Sequence, residues 1–157
     1  MIKASAKPDL ERLGVKAATL KTIKRLYKDS LRARRTSYSP YSKFAVGAAL
    51  NLQKARSPKS YLGCNIENSS YGATVCAERV AIWKALSENP GAKVDVIVVV
   101  TDTKPAASPC GICRQVLQEF SNPRTLLCQA SLNGVERIFS VAELLPGPFD
   151  SSQLPEP

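Results

Sequence analysis

At 157 residues and 44% hydrophobic side chains, the chain is long enough for one domain with its own core, and no apolar run approaches the eighteen residues of a membrane helix. It contains no histidine, which excludes Ser-His-Asp and Cys-His nucleophilic machinery and any His-ligated metal site. The net charge of +9 arises entirely within residues 1–43, where twelve Lys and Arg face Asp9, Glu11 and Asp29; the other 114 residues carry ten charges of each sign.

In chain order, residues 9–33 read as one amphipathic helix, with Leu13, Ala17, Leu20, Ile23, Tyr27 and Leu31 at three- and four-residue spacing and basic residues on the other face. Tyr38-Ser39-Pro40-Tyr41 ends that pattern. Phe44–Leu50 and Ser60–Ile66 read as a strand hairpin joined by a turn over Gln53–Lys59. Thr74–Glu88 is a helix stopped by Asn89-Pro90-Gly91, and the β-branched run Val94–Thr101 is a strand covered on both faces. Ser108 as cap and Pro109 in the first turn open a helix to Phe120. Thr125–Ala130 and Val135–Ser140 are strands around an Asn133-Gly134 turn, and Ser140-Val141-Ala142-Glu143 fits a capping box ahead of a short last helix. Residues 1–8 and 150–157 are expected to be flexible tails of this single domain. The element order predicts an α/β fold, a three-layer α-β-α sandwich around a mixed five-stranded sheet.

Two runs carry the chemistry: Cys76-Ala77-Glu78-Arg79 and Ser108-Pro109-Cys110-Gly111-Ile112-Cys113-Arg114. Cys110 and Cys113 lie one helical turn apart, and Cys76 falls at the start of another helix, where the positive end of the helix dipole favours thiolates. Three thiolates suit a catalytic zinc with one position left for water, and Glu78, two residues from a ligand, is placed to take that water's proton. A Cys-x-Glu with a Pro-Cys-x-x-Cys is the signature of zinc nucleobase deaminases. Arg79 and Arg114 each follow a ligand and are expected to hydrogen-bond the sulfurs and draw off their charge. A structural zinc site with Cys64 or Cys128 as fourth ligand is the alternative, against which both cysteines read as small buried side chains within strands. An odd number of cysteines, five, fits a reducing cytoplasm and metal binding better than a secreted disulfide framework.

Five motifs in register, from Tyr38-Ser39-Pro40-Tyr41-Ser42-Lys43-Phe44-Ala45-Val46-Gly47-Ala48-Ala49-Leu50 through Gly63-Cys64-Asn65-Ile66-Glu67-Asn68 and the two cysteine runs to Glu143-Leu144-Leu145-Pro146, resemble the small homotetrameric cytidine deaminases. The resemblance covers about Tyr38 to Phe149 and implies Zn2+ on Cys76, Cys110 and Cys113 with Glu78 as the catalytic carboxylate. It further implies Phe44 against the pyrimidine, Asn65 and Glu67 on the ribose hydroxyl, main-chain groups near Ala77 and Cys110 at the base edge, and Tyr71 and Phe149 reaching in from neighbouring subunits. For Phe44 and Phe149, core packing is the competing role. Asn51–Ser60 departs from the family's short glycine hairpin.

The implied activity is hydrolytic deamination of cytidine and deoxycytidine in pyrimidine salvage, in the cytoplasm, with neither membrane nor nucleic acid as partner. Two rivals of the same chemistry are a deaminase of another aminopyrimidine and a polynucleotide editor that uses the basic helix to hold phosphates.

Overall fold

In the computed structural model, which describes residues 1–53 and 59–155, five strands form one mixed sheet. They are β1 (Gly47–Leu52), β2 (Tyr61–Cys64), β3 (Val94–Val100), β4 (Leu126–Ser131) and β5 (Gly134–Ser140), in the order β2-β1-β3-β4-β5. β3 and β4 pair parallel, and the other three pairs are antiparallel. The β-branched run lies at the centre of the sheet, where every β3 side chain except Asp95 is buried.

Helices α1 (Lys7–Arg12), α2 (Ala17–Arg34), α3 (Ala77–Glu88), α4 (Gly111–Glu119) and α5 (Val141–Leu144) complete the fold. On one face, Ile23, Leu26 and Tyr27 of α2 pack on Ala49, Val96, Val98, Val100 and Cys128. On the other, Ala77, Ala81, Ile82 and Ala85 of α3 and Leu117 of α4 pack on Ala48, Leu50, Ile97, Val99 and Leu127. This is the expected three-layer sandwich. Because β1 is antiparallel to both β2 and β3, the strands β2, β3 and β4 run the same way. The connections β2-α3-β3 and β3-α4-β4 step across the sheet in one direction, and right-handed crossing lays both helices on one face. Their amino ends therefore meet at the carboxyl edge of the sheet, where open α/β sheets bind ligands.

Both helical layers press closely on the sheet. A Cβ on Gly47 would lie 2.1 Å from the Ser30 carbonyl oxygen of α2, and one on Gly63 would lie 2.4 Å from the Ala77 oxygen and 2.5 Å from the Ala81 nitrogen of α3.

Several boundaries differ from the sequence pattern. The helix expected over 9–33 is two, because Gly14 takes a left-handed φ of +60° and ends α1 before α2 begins. Phe44–Val46 is not strand: Asn65 stands in for ladder pairing there, its Nδ2 donating to the Phe44 oxygen at 2.8 Å and its Oδ1 accepting from the Val46 amide at 2.8 Å. Thr74 and Val75 are outside α3, since Val75 pairs with Ile66. Cys110, not Ser108, is the cap of α4. The capping box of Ser140 and Glu143 is present. Within the turn expected over Gln53–Lys59, residues 54–58 lie outside the described residues, as do 156–157 of the expected C-terminal tail. Asp150 of that tail caps a 3-10 turn over Ser151–Gln153.

Residues 1–8, expected as a flexible tail, are held against the outer edge of β5. The Val135 amide donates to the Met1 oxygen at 2.7 Å, and the Lys3 amide donates to the Val135 oxygen at 2.9 Å. Ser5 Oγ donates to the Glu136 oxygen, the buried Asp9 carboxylate accepts from the Ile138 amide at 2.9 Å, and Arg12 donates to the Ile138 oxygen.

Two outcomes follow from these contacts. Gly63→Ala should push α3 off β2 and lower stability by more than about 2 kcal/mol, read as a reduced urea midpoint. Burial raises the Asp9 carboxyl, but the Ile138 amide, Arg137 and Arg12 outweigh it and hold the group below its ordinary value. A lowered folded-state pKa contributes stability above the unfolded value, about 3.9, that is lost as pH falls through the folded one. Asp9→Asn should therefore cost about 1–3 kcal/mol at pH 7, and the gap to wild type should shrink when urea unfolding is repeated near pH 3.

Candidate active site

The carboxyl edge of the sheet holds a cavity of about 230 Å³ lined by Phe44, Asn65, Glu67, Cys76, Glu78, Ala107, Ser108 and Cys110, among others. Cys76 caps α3, Cys110 caps α4, and Cys113 occupies the first turn of α4. The three sulfurs lie within 4.8 Å of one another, and Cys76 and Cys110 are 3.9 Å apart. Zn–S bonds of about 2.3 Å give a tetrahedral edge of about 3.8 Å, so the donor set fits zinc. The Cys76 thiol is drawn down to about 5, first by its hydrogen bond with Cys113, then by Arg79 and Cys110 against the cost of burial. The Cys113 thiol is pushed up by that same contact and by burial.

Neither other cysteine joins the cluster. Cys64 Sγ donates to the Thr36 oxygen at 3.3 Å, and Cys128 is buried among the side chains on the α2 side of the sheet. The sulfur set is thus three, which leaves a position open.

Glu78, in the first turn of α3, is 4% exposed. Burial, and secondarily the Cys76 thiolate, raises its carboxyl to about 7, against the pull of its own backbone amide. A carboxyl balanced near neutrality can both take and give a proton.

The two arginines divide. Arg79 reaches the cluster, with Nη2 3.8 Å from Cys76 Sγ and 3.0 Å from the Thr74 oxygen, its guanidinium over the Trp83 ring, and its buried Nε unpartnered among the described residues. Arg114 does not. It donates to the Pro109 oxygen at 3.0 Å, to Ser108 Oγ at 2.8 Å and to the Leu144 oxygen at 3.2 Å. The expectation of a sulfur contact is corrected for Arg114: its side chain turns back along α4 and clamps the loop before Cys110 to the end of α5.

The cavity's other wall comes from the 37–46 segment and the strip after β2. Ile66 pairs with Tyr38 on one side and Val75 on the other. Asn65, buried, also accepts from Ser37 Oγ at 2.6 Å, so most of its amide braces this wall; one Nδ2 hydrogen is left over. Glu67 accepts from the Tyr41 amide at 2.9 Å and the Ser42 amide at 3.2 Å, and bonds the Ser42 hydroxyl. Phe44 is half-buried on the cavity wall, and Ala77 is fully buried behind it. Tyr71 lines an adjoining cavity with Tyr41, Ser42, Glu67 and Thr74, and is 75% exposed. Phe149 is 57% exposed and is not among the residues lining its own chain's cavity; Gln115 Nε2 donates to its carbonyl at 2.8 Å. Residue spacing carried no sign of Ser37, Ser42 or Gln115, because their partners lie far along the chain.

Residues 20–129 match the family model of the cytidine and deoxycytidylate deaminase zinc-binding region. The chain is 45% identical to a cytidine deaminase of Sporosarcina psychrophila over 132 residues, 84% of this chain and 94% of that one. The chain belongs to the cytidine deaminase family. A cytidine deaminase of Halalkalibacterium halodurans is 44% identical over 82% of this chain and 95% of its own. The crystal structure of the cytidine deaminase from Burkholderia pseudomallei superposes with a TM-score of 0.73 at 40% identity, covering 80% of this chain and 98% of that one. Membership in the cytidine deaminase family makes this chain a zinc-binding deaminase and agrees with the three-sulfur cluster. No helix among the described residues is long and apolar enough to cross a membrane.

Arg79→Gln should weaken zinc binding or turnover by about 10–100-fold, as loss of a ligand's hydrogen-bond partner does. With zinc removed, it should also slow iodoacetamide labelling of Cys76 at pH 5, where the thiol is only partly ionised. Arg114→Gln should leave that labelling rate unchanged, and an equal slowing in both variants would count against the division of roles.

Proposed function

We propose that this chain hydrolyses cytidine and deoxycytidine to uridine and deoxyuridine with release of ammonia, in cytoplasmic pyrimidine salvage. The observation that carries the reading is the meeting of Cys76, Cys110 and Cys113 with buried Glu78 on one wall of a cavity whose other wall holds Phe44, Asn65 and Glu67. Cys76, Cys110 and Cys113 would hold zinc, which supplies a water acidic enough to react near neutral pH. Glu78 would take a proton from the attacking water and pass it to the ring nitrogen beside the amino-bearing carbon as the hydroxyl adds there. It then carries the hydroxyl proton to the amine, which leaves as ammonia while the carbonyl forms. Phe44 packs on the pyrimidine, and the main chain at Ala77 and Cys110 reads its edge. The carboxylate of Glu67 and the spare Nδ2 hydrogen of Asn65 take the sugar hydroxyl, one as acceptor and one as donor.

Homotetrameric assembly is part of this reading. Tyr71, Trp83, Ile112 and Phe149 are large, apolar and exposed on elements around the site, as surfaces covered by another subunit are. Tyr71 and Phe149 would then complete a neighbour's cavity, Tyr71 toward the sugar and Phe149 toward the base. Five free cysteines suit a reducing compartment. The basic stripe of Lys21, Lys24 and Lys28 lies on α2, across the sheet from α3 and α4, which favours a nucleoside over a polynucleotide led into the cavity by that helix.

Cytidine added to zinc-loaded protein should lose its ultraviolet cytosine band, and Glu78→Gln should reduce the rate by at least about 10²–10⁴ while keeping zinc. Free cytosine should be the poorer substrate. Failure to convert either cytidine or deoxycytidine with zinc bound would redirect the search to other aminopyrimidines.

A further inference from the structure

Glu136 stands on the edge strand β5, outside the cavity, yet its carboxylate reaches the loop that delivers Cys110. Oε2 accepts from the Ala106 amide at 2.8 Å, and Oε1 is ion-paired with Lys3 Nζ. The neighbouring amide, of Ala107, donates to Oγ1 of buried Thr101 at 3.0 Å. Two consecutive amides of the loop are thus fixed by one side chain on β5 and one just past the end of β3, a few residues before the first ligand of α4. Ala107, Ser108 and Cys110, which follow, line the cavity. The Lys3 contact, followed by the Ala106 amide, holds the Glu136 carboxyl down to about 2, so it stays charged across the neutral range. Lys3 and Glu136 both lie outside the stretch 20–129 that carries the family match.

We propose that Glu136 is a positioning residue for the metal-binding loop, and that the N-terminal segment serves the site by holding Glu136 in place through Lys3. A loop tethered at Ala106 presents Cys110 to Cys76 and Cys113 without a search over backbone conformations. Removal of the tether leaves the ligand in the chain but lets the loop wander, so the metal should leave faster. This rests on the reading of Cys110 as a zinc ligand and needs nothing from the identity of the substrate.

Zinc release from the full-length, zinc-loaded protein to a chromogenic chelator tests it, with unfolding midpoints measured alongside. Glu136→Ala should release zinc about 10–100-fold faster than wild type. Glu136→Gln keeps an oxygen for the Ala106 amide and should fall between the two. Lys3→Met should match Glu136→Gln, and the two together should do no more than either alone, as members of one linkage do. Asp9→Asn is the control for general loosening, because it weakens the hold of α1 on Arg137 and Ile138 while leaving the Lys3–Glu136 and Glu136–Ala106 contacts in place: it should lower the midpoint and leave release near the wild-type rate. Wild-type release from Glu136→Ala, or equal acceleration by Asp9→Asn at the same loss of stability, would overturn the assignment. Should Glu136→Ala fail to fold, unchanged release from both Glu136→Gln and Lys3→Met would overturn it instead. No substrate is present, so a chain that binds zinc and leaves cytidine untouched still gives the answer.

Discussion

β2, β3 and β4 point the same way, and the connections between them cross one face of the sheet with the same hand. From that constraint the amino ends of α3 and α4 must lie side by side. Each helix end offers unpaired amides and a partial positive charge, which is where a thiolate is most comfortable. Cysteines at the two cap positions and in the following turn are therefore brought close to one another by the topology. The first turn of α3 also carries Glu78, so one sulfur of the cluster and the buried carboxylate beside it are set by a single helix start.

What the topology leaves to be done is fine positioning, and side chains from remote parts of the chain supply it. Gly63 allows α3 to approach β2 at backbone distance, which fixes the depth of Cys76 and Glu78. Arg114 ties the Ser108-Pro109 stretch to α5, and Asn65 ties the 37–46 segment to the strip after β2. These are hydrogen bonds of buried or half-buried groups, each of modest net worth but costly to leave half-made. They make the cavity walls rigid on both sides of the cluster.

The central strand, the two cysteine-bearing helices and the capping box at Ser140 were legible because each depends on local chemistry: β-branching, periodicity and cap residues. The three-sulfur set was legible for the same reason, since spacing within a helix start dictates direction. Contacts across the fold were not. Arg79 and Arg114 each follow a ligand motif, but Arg79 is the third residue of its helix and Arg114 the fourth, and the packing of α5 against α4 separates their roles further. Asn65 reads as a sugar ligand by its motif, yet most of its amide is spent on the wall. Gly14 was visible as a residue, but the regular pattern on either side of it masked the break between α1 and α2. The order of residues 1–8 had no local signature at all, because it depends on hydrogen-bonding groups of β5 far along the chain.

That last feature bears on how the protein behaves in a crowd. A bare edge strand is a template on which a strand from another molecule can add. At β5 the template is already used: Met1, Lys3, Ser5, Asp9 and Arg12 satisfy backbone groups of Val135, Glu136 and Ile138, partly with main chain and partly with side chains that cannot propagate a ladder. Among the described strands, β2 is the other end of the sheet, and it is four residues long. Strand addition at β5 is thereby blocked by the chain's own first dozen residues, and at the other edge β2 offers only a short template.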